Sequence, residues 1–145
     1  MTKKPRSPVR ATGEITVRAT PVAVWGLLSD IDQWPSWNPD VKSAHLVGQL
    51  RPGSKFTWKA GPGTIRSELA DVEEPSVLAW TGTTLGIRAH HSWKLEQIET
   101  GTRILTDETW SGLLPRLFRT SMTRTLQKAI DNGLKSIREA VEKQA

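Results

Sequence analysis

The chain has no cysteine, no tyrosine and only two phenylalanines in 145 residues. The lack of cysteine excludes disulfide scaffolds, thiol nucleophiles, Cys-ligated zinc and iron–sulfur clusters together. A run of about 18 apolar residues is also missing, which excludes a hydropathic membrane span. The opening residues MTKKPRSPVR are basic but lack the apolar core of a secretion signal, so a cytoplasmic location is expected. Acid is absent from residues 1–12, where Lys3, Lys4, Arg6 and Arg10 supply four units of the formal net charge of +5. The other 133 residues carry 16 basic and 15 acidic side chains. Residues 1–12 are therefore expected to form a basic flexible tail, and residues 13–145 one near-neutral ligand-binding domain. No nucleic-acid partner is expected, because base-stacking platforms need cations interleaved with aromatics in the folded body.

What is present is tryptophan, seven of them. Each brings a large apolar area and one N–H that needs a partner, which points to an aromatic core or an aromatic-lined pocket. Residues 14–19, EITVRA, alternate apolar and polar and predict a half-buried strand. Thr20 then offers an N-cap and Pro21 a first helical position, with Val22, Val24, Trp25 and Leu28 on helical spacing. Pro35 and Pro39 limit the next segment to about one helical turn, and Trp25, Trp34 and Trp37 are expected to plug it against the sheet. Extended segments follow at 41–48, 55–59, 64–73, 77–81, 87–98 and 103–111, separated by Pro- and Gly-containing turns.

From Leu114 to Lys143 the period becomes helical, with Phe118, Met122, Leu126, Ile130, Leu134, Ile137 and Val141 on one stripe. Gly133 is expected to mark a bend or a close approach to the sheet. The class is α+β: seven antiparallel strands curved around a long C-terminal helix, with two short helices between the first and second strands. A sheet curved that far encloses a volume suited to a ligand.

These residues carry a resemblance. The stretch from Ala19 to Val41, ATPVAVWGLLSDIDQWPSWNPDV, resembles the opening of polyketide cyclase/dehydrase-type proteins of the START-related, birch-pollen-allergen-like superfamily. The likeness continues in Leu50 to Phe56, in Glu74-Pro75 before Leu78-Ala79-Trp80, in Gly101 to Ile104, in Glu108 to Gly112 and in the terminal helix, spanning residues 13–143. It implies the helix-grip fold, with a deep cavity for lipids, sterols, hormones or polyketides. Some such proteins are cyclases, dehydratases or hydrolases and many only bind, carry or sense, so the fold does not select among these.

Chemistry is concentrated on the inward faces of the last two strands. Ile87, Ala89, His91, Trp93 and Leu95 alternate onto one face, as do Ile104, Thr106, Glu108 and Trp110. Pairing Ile98 with Arg103 sets His91 opposite Trp110 and Trp93 opposite Glu108, leaving His91 and Glu108 diagonal at about 7 Å between backbone positions. A histidine oriented by a carboxylate in an apolar cavity is suited to general-base work. The same pair also serves a purely structural role, or anchors a ligand's polar group. His90 faces the other way and His45 lies on another strand, so no metal site is expected. Neither a phosphate-cradling glycine loop nor a nucleophile elbow is present, and no cofactor is expected. Trp58, Leu69 and Trp80, with Phe118 and Met122 from the helix, complete the expected lining.

The function expected from this pattern is binding or transport of a hydrophobic, aromatic or polycyclic small molecule in an internal cavity. One alternative is a polyketide cyclase, aromatase or dehydratase with His91 as general base and Glu108 orienting it. Another is a co-chaperone-like protein-interaction module.

Overall fold

A computed structural model describes residues 8–143. After β1 (Val9–Val17) come α1 (Pro21–Ser29), a single 3-10 turn (Ile31–Gln33) and α2 (Trp34–Trp37). Six strands follow: β2 (Val41–Leu46), β3 (Lys55–Ala60), β4 (Thr64–Glu73), β5 (Val77–Thr84), β6 (Ile87–Ile98) and β7 (Gly101–Ser111). The chain then runs through α3 (Leu113–Leu117) into α4 (Arg119–Lys143). The seven strands form one antiparallel sheet in the order β1-β7-β6-β5-β4-β3-β2, gripping α4 on its inner face. This is the expected α+β helix-grip architecture.

Local chemistry explains the α1 start. The Thr20 hydroxyl accepts from the Ala23 N–H at 3.2 Å, and Pro21 occupies the first helical turn. The α4 stripe of Leu126, Ile130, Leu134, Ile137 and Val141 is buried against the sheet. The close approach lies on the strand side. A Cβ on Gly13 would stand 2.7 Å from Leu134 Cδ1 and 3.0 Å from Ile130 Cγ2, whereas one on Gly133 would meet nothing within 4 Å. Gly133 therefore marks neither a bend nor a contact, and α4 passes through it unbroken.

Three further boundaries differ from expectation. The first strand begins at Val9, four residues inside the segment expected to be tail. Its alternation runs further back than 14–19, burying Val9, Ala11 and Val17 while Arg10 reaches outward to Asp107 at 2.6 Å. Lys3, Lys4 and Arg6 of the expected tail lie outside the described residues. The C-terminal helix is split at Phe118, whose φ of −121° and ψ of 42° leave the helical region. Helical spacing cannot register such a break, because α3 and α4 each keep the period on either side of it.

The β6–β7 hairpin pairs Ile98 with Gly101 rather than with Arg103. Only Glu99 and Thr100 lie between them, two residues fewer than expected in the loop. A shift of two preserves which face each side chain takes, but it changes who stands opposite whom.

Candidate functional site

That register sets His91 directly opposite Glu108 and Ala89 opposite Trp110. His91 Nδ1 lies 2.7 Å from Glu108 Oε1, and both side chains are largely buried. The second carboxylate oxygen accepts from Trp110 Nε1–H at 2.6 Å. Burial pushes the Glu108 carboxyl up, but the charge and contact of His91 and the Trp110 N–H outweigh it, holding the group below its ordinary value. Glu108 is thus an ionised acceptor.

The other side of the imidazole meets Thr106, whose Oγ1 is 2.7 Å from His91 Nε2. That hydroxyl has one hydrogen and also lies 3.0 Å from the Ser92 carbonyl. With that hydrogen on the Ser92 carbonyl Oγ1 accepts from Nε2–H, and with it turned to the ring Oγ1 donates to Nε2, the direction following the tautomer. His91 Nδ1 faces the Glu108 carboxylate at 2.7 Å, with an N–H there poorly aligned toward Oε1. His91 and Glu108 form a buried histidine–carboxylate pair, with Thr106 on the other ring nitrogen.

Around the pair the inner face is aromatic. The His91 ring lies 4.8 Å from Trp80 and 5.0 Å from Trp93, centre to centre. Trp80 in turn meets Phe56 edge-on and Trp34 at 5.2 Å. Trp34 comes from α2 and also packs edge-on against Phe56 and Trp58, its own N–H donated to the Leu28 carbonyl. Asp32 helps hold this connector by accepting from the Leu46 N–H at 2.7 Å and pairing with His45. The hollow expected among Trp58, Trp80 and Leu69 is, at this depth, filled by a side chain of the protein itself. Sequence reading placed Trp34 against the sheet but omitted it from the lining; two tryptophans in a proline-limited connector were the available signal.

Toward the end of the sheet nearest α3, the same face opens. Trp58, Ile87, Ala89, Glu108, Trp110 and Met122 are half-buried there, while Leu69, Trp80, His91, Trp93 and Thr106 are buried deeper. Phe118 does not join them. It is 55% exposed, because the break between α3 and α4 ends the continuous helical stripe before reaching it. Sequence reading also missed Ser67, a buried hydroxyl that accepts from Trp58 Nε1 at 3.0 Å. Trp93 Nε1 is a buried donor with no protein partner. His45 and His90 are exposed, His45 on β2 across the sheet and His90 beside His91 on β6 but turned to the outer face.

A family model described as polyketide cyclase / dehydrase and lipid transport matches residues 8–142. The chain belongs to this family. Among solved structures, a START superfamily protein from Mycobacterium smegmatis aligns with a TM-score of 0.83 at 14% identity, over 94% of this chain and 99% of that one. The Zhui aromatase/cyclase from Streptomyces sp. R1128 aligns with a TM-score of 0.81 at 13% identity, over 93% and 94%. Ara h 8.0201 aligns with a TM-score of 0.67 at 18% identity, over 91% and 96%. At these identities the likeness shows the shared START-like, birch-pollen-allergen-like fold. No curated protein matches the sequence. For this polyketide cyclase/dehydrase family member, no helix among the described residues is long and apolar enough to cross a membrane.

Proposed function

We propose that this domain binds a hydrophobic, ring-containing small molecule at the open end of its inner face, without transforming it. The observation that carries this reading is the gradient of exposure along one aromatic surface. Half-buried Trp58 and Trp110 lead inward to buried Trp80 and Trp93, whose rings pack at a tilt against the His91 imidazole. Burying about 300 Å² of apolar ligand surface would contribute roughly 7 kcal/mol before association costs are subtracted. The unpartnered N–H of Trp93 favours a ligand with an oxygen acceptor, such as a ring ketone. The contacts of His91 argue in the same direction, since both ring nitrogens already face protein oxygens, on Glu108 and on Thr106.

The second reading, a cyclase or dehydratase, draws on the His91–Glu108 contact itself. It requires His91 to turn Nε2 from Thr106 toward a substrate. The two readings separate in one pair of assays, tryptophan quenching by an anthraquinone and turnover of a poly-β-ketone. Removing a single member of a buried ion pair strands its partner, so the suitable variant is His91→Leu with Glu108→Leu. Binding predicts quenching retained within about tenfold, a change of about 1.4 kcal/mol. Turnover by the wild type that vanishes in the double variant would establish the enzyme instead, and a folded wild type that shows neither quenching nor turnover would remove both.

A further inference from the structure

The end of the sheet formed by the β3–β4 turn, the β5–β6 turn and α3 carries a surface that the inner site does not use. Four large apolar side chains stand in solvent there: Leu85 at 60% exposure, Leu113 and Leu117 at 65%, and Phe118 at 55%. Leu85 is in the β5–β6 turn, and the other three are in α3 and at its C-terminal cap. Leu85 lies against Gly63, Leu114 of α3 lies against Gly86, and Gly112 abuts the Gly86 carbonyl. Leu85 also occupies the left-handed region, with φ of 44°, in a two-residue turn where Asn or Gly would sit without strain. An exposed leucine held in that conformation serves neither turn formation nor the core.

Cations surround these tips. The strand registers align Arg66, Thr83, Arg88 and Ser111 in one row across β4, β5, β6 and β7, and the four line an open groove of about 700 Å³ together with Leu85 and Leu113. Arg116, Arg119 and Arg124 are exposed beside Leu117 and Phe118. Arg119 opens α4, whose first turn holds no acid although the helix dipole favours one there. None of these five arginines is in an ion pair among the described residues. Residues 54–67, 75–95 and 109–130 contain no aspartate or glutamate. The first carboxylates back from the edge are Glu68 and Glu108, the latter held on the inner face by His91 and Trp110, then Asp107, taken by Arg10, with Asp40 away at the β2 side.

We propose that this end of the domain docks onto an anionic lipid surface. Leu85, Leu113, Leu117 and Phe118 enter the headgroup region while Arg66, Arg88, Arg116 and Arg119 meet lipid phosphates. A second copy of the chain fits poorly, because it would press arginine against arginine. A nucleic acid would satisfy the arginines and leave the four apolar tips in water. A bilayer with anionic headgroups answers both features. The proposal stands on surface residues alone and holds whether or not the inner face takes a ligand.

Co-sedimentation with vesicles tests it, comparing phosphatidylcholine alone with a phosphatidylcholine–phosphatidylglycerol mixture. The wild type is expected to sediment with the mixed vesicles, weakly or not at all with phosphatidylcholine, and less as salt rises. Leu117→Ser with Phe118→Ser should weaken binding about tenfold or more. Arg116→Gln with Arg119→Gln should weaken it about fivefold per charge. All four positions are exposed, so unchanged circular dichroism and melting temperature verify that each variant is folded. Failure of the folded wild type to sediment with anionic vesicles overturns the proposal. So does equal binding to phosphatidylcholine. Loss of binding in the arginine pair with none in the Leu117/Phe118 pair would indicate a simple polyanion site and overturn it as well.

Discussion

His91 and Glu108 face each other across β6 and β7, with Nδ1 2.7 Å from Oε1 and the Trp110 N–H closing the far side of the carboxylate. The folded value of Glu108 lies below its unfolded one, so its charge stabilises the fold above the ordinary carboxylate range. That contribution is lost as pH falls through the lowered folded value. Glu108→Gln should cost about 3 kcal/mol at neutral pH by removing the buried carboxylate that His91 and Trp110 hold. It should also flatten the acid limb of the stability curve. Urea unfolding of both proteins from pH 7 down to pH 3 checks each effect, and parallel acid limbs would contradict the assignment.

Thr106 is the second support of the ring. Thr106→Val keeps the shape but leaves His91 Nε2 buried without its hydrogen-bond partner, at a cost of about 1–3 kcal/mol. Nitrogen-15 shifts of the His91 ring read the same point independently. The Nε2 signal should move in the variant, where its hydroxyl partner is gone, while the Nδ1 signal beside Glu108 should change little.

Trp34 occupies space that the fold would otherwise leave among Phe56, Trp58 and Trp80. Trp34→Ala should lower stability by about 3–5 kcal/mol through the cavity it leaves. If ligand and Trp34 compete for one aromatic surface, the variant should bind an anthraquinone more tightly than the wild type. Weaker binding would show instead that Trp34 is part of the wall.

Gly13 sets the distance between β1 and α4. Gly13→Val places side-chain carbon into Leu134 and Ile130, and overpacking of this kind costs about 1–3 kcal/mol. Gly133→Ala, where nothing lies within 4 Å, should instead stabilise α4 by up to about 1 kcal/mol. Thermal melts of the two variants should move in opposite directions.

The contrast between those glycines shows where sequence pattern carries information and where it stops. Alternation from Ile87 to Ile98 reveals which side chains point inward, because pleating imposes period two on any strand. Thr20 and Pro21 mark the α1 start through chemistry local to the turn. Register is different: loops of two or four residues after Ile98 give His91 and Glu108 the same face, so the pairing is decided by turn geometry. Phe118 lay on the expected stripe because a single non-helical residue leaves the spacing on each side intact. Filling of the interior by Trp34 depends on how a proline-limited connector folds back, and no period records that. The near-neutral body hid a second pattern, since acids and bases that balance along the chain separate to different parts of the fold.

The most direct test of the binding account is an indole N–H spectrum of the nitrogen-15-labelled protein titrated with an anthraquinone. The account predicts that signals of Trp58, Trp80, Trp93 and Trp110 shift together and saturate at one equivalent, with Trp25 and Trp37 little changed. A titration in which the four inner-face indoles stay fixed while the protein remains folded would contradict it.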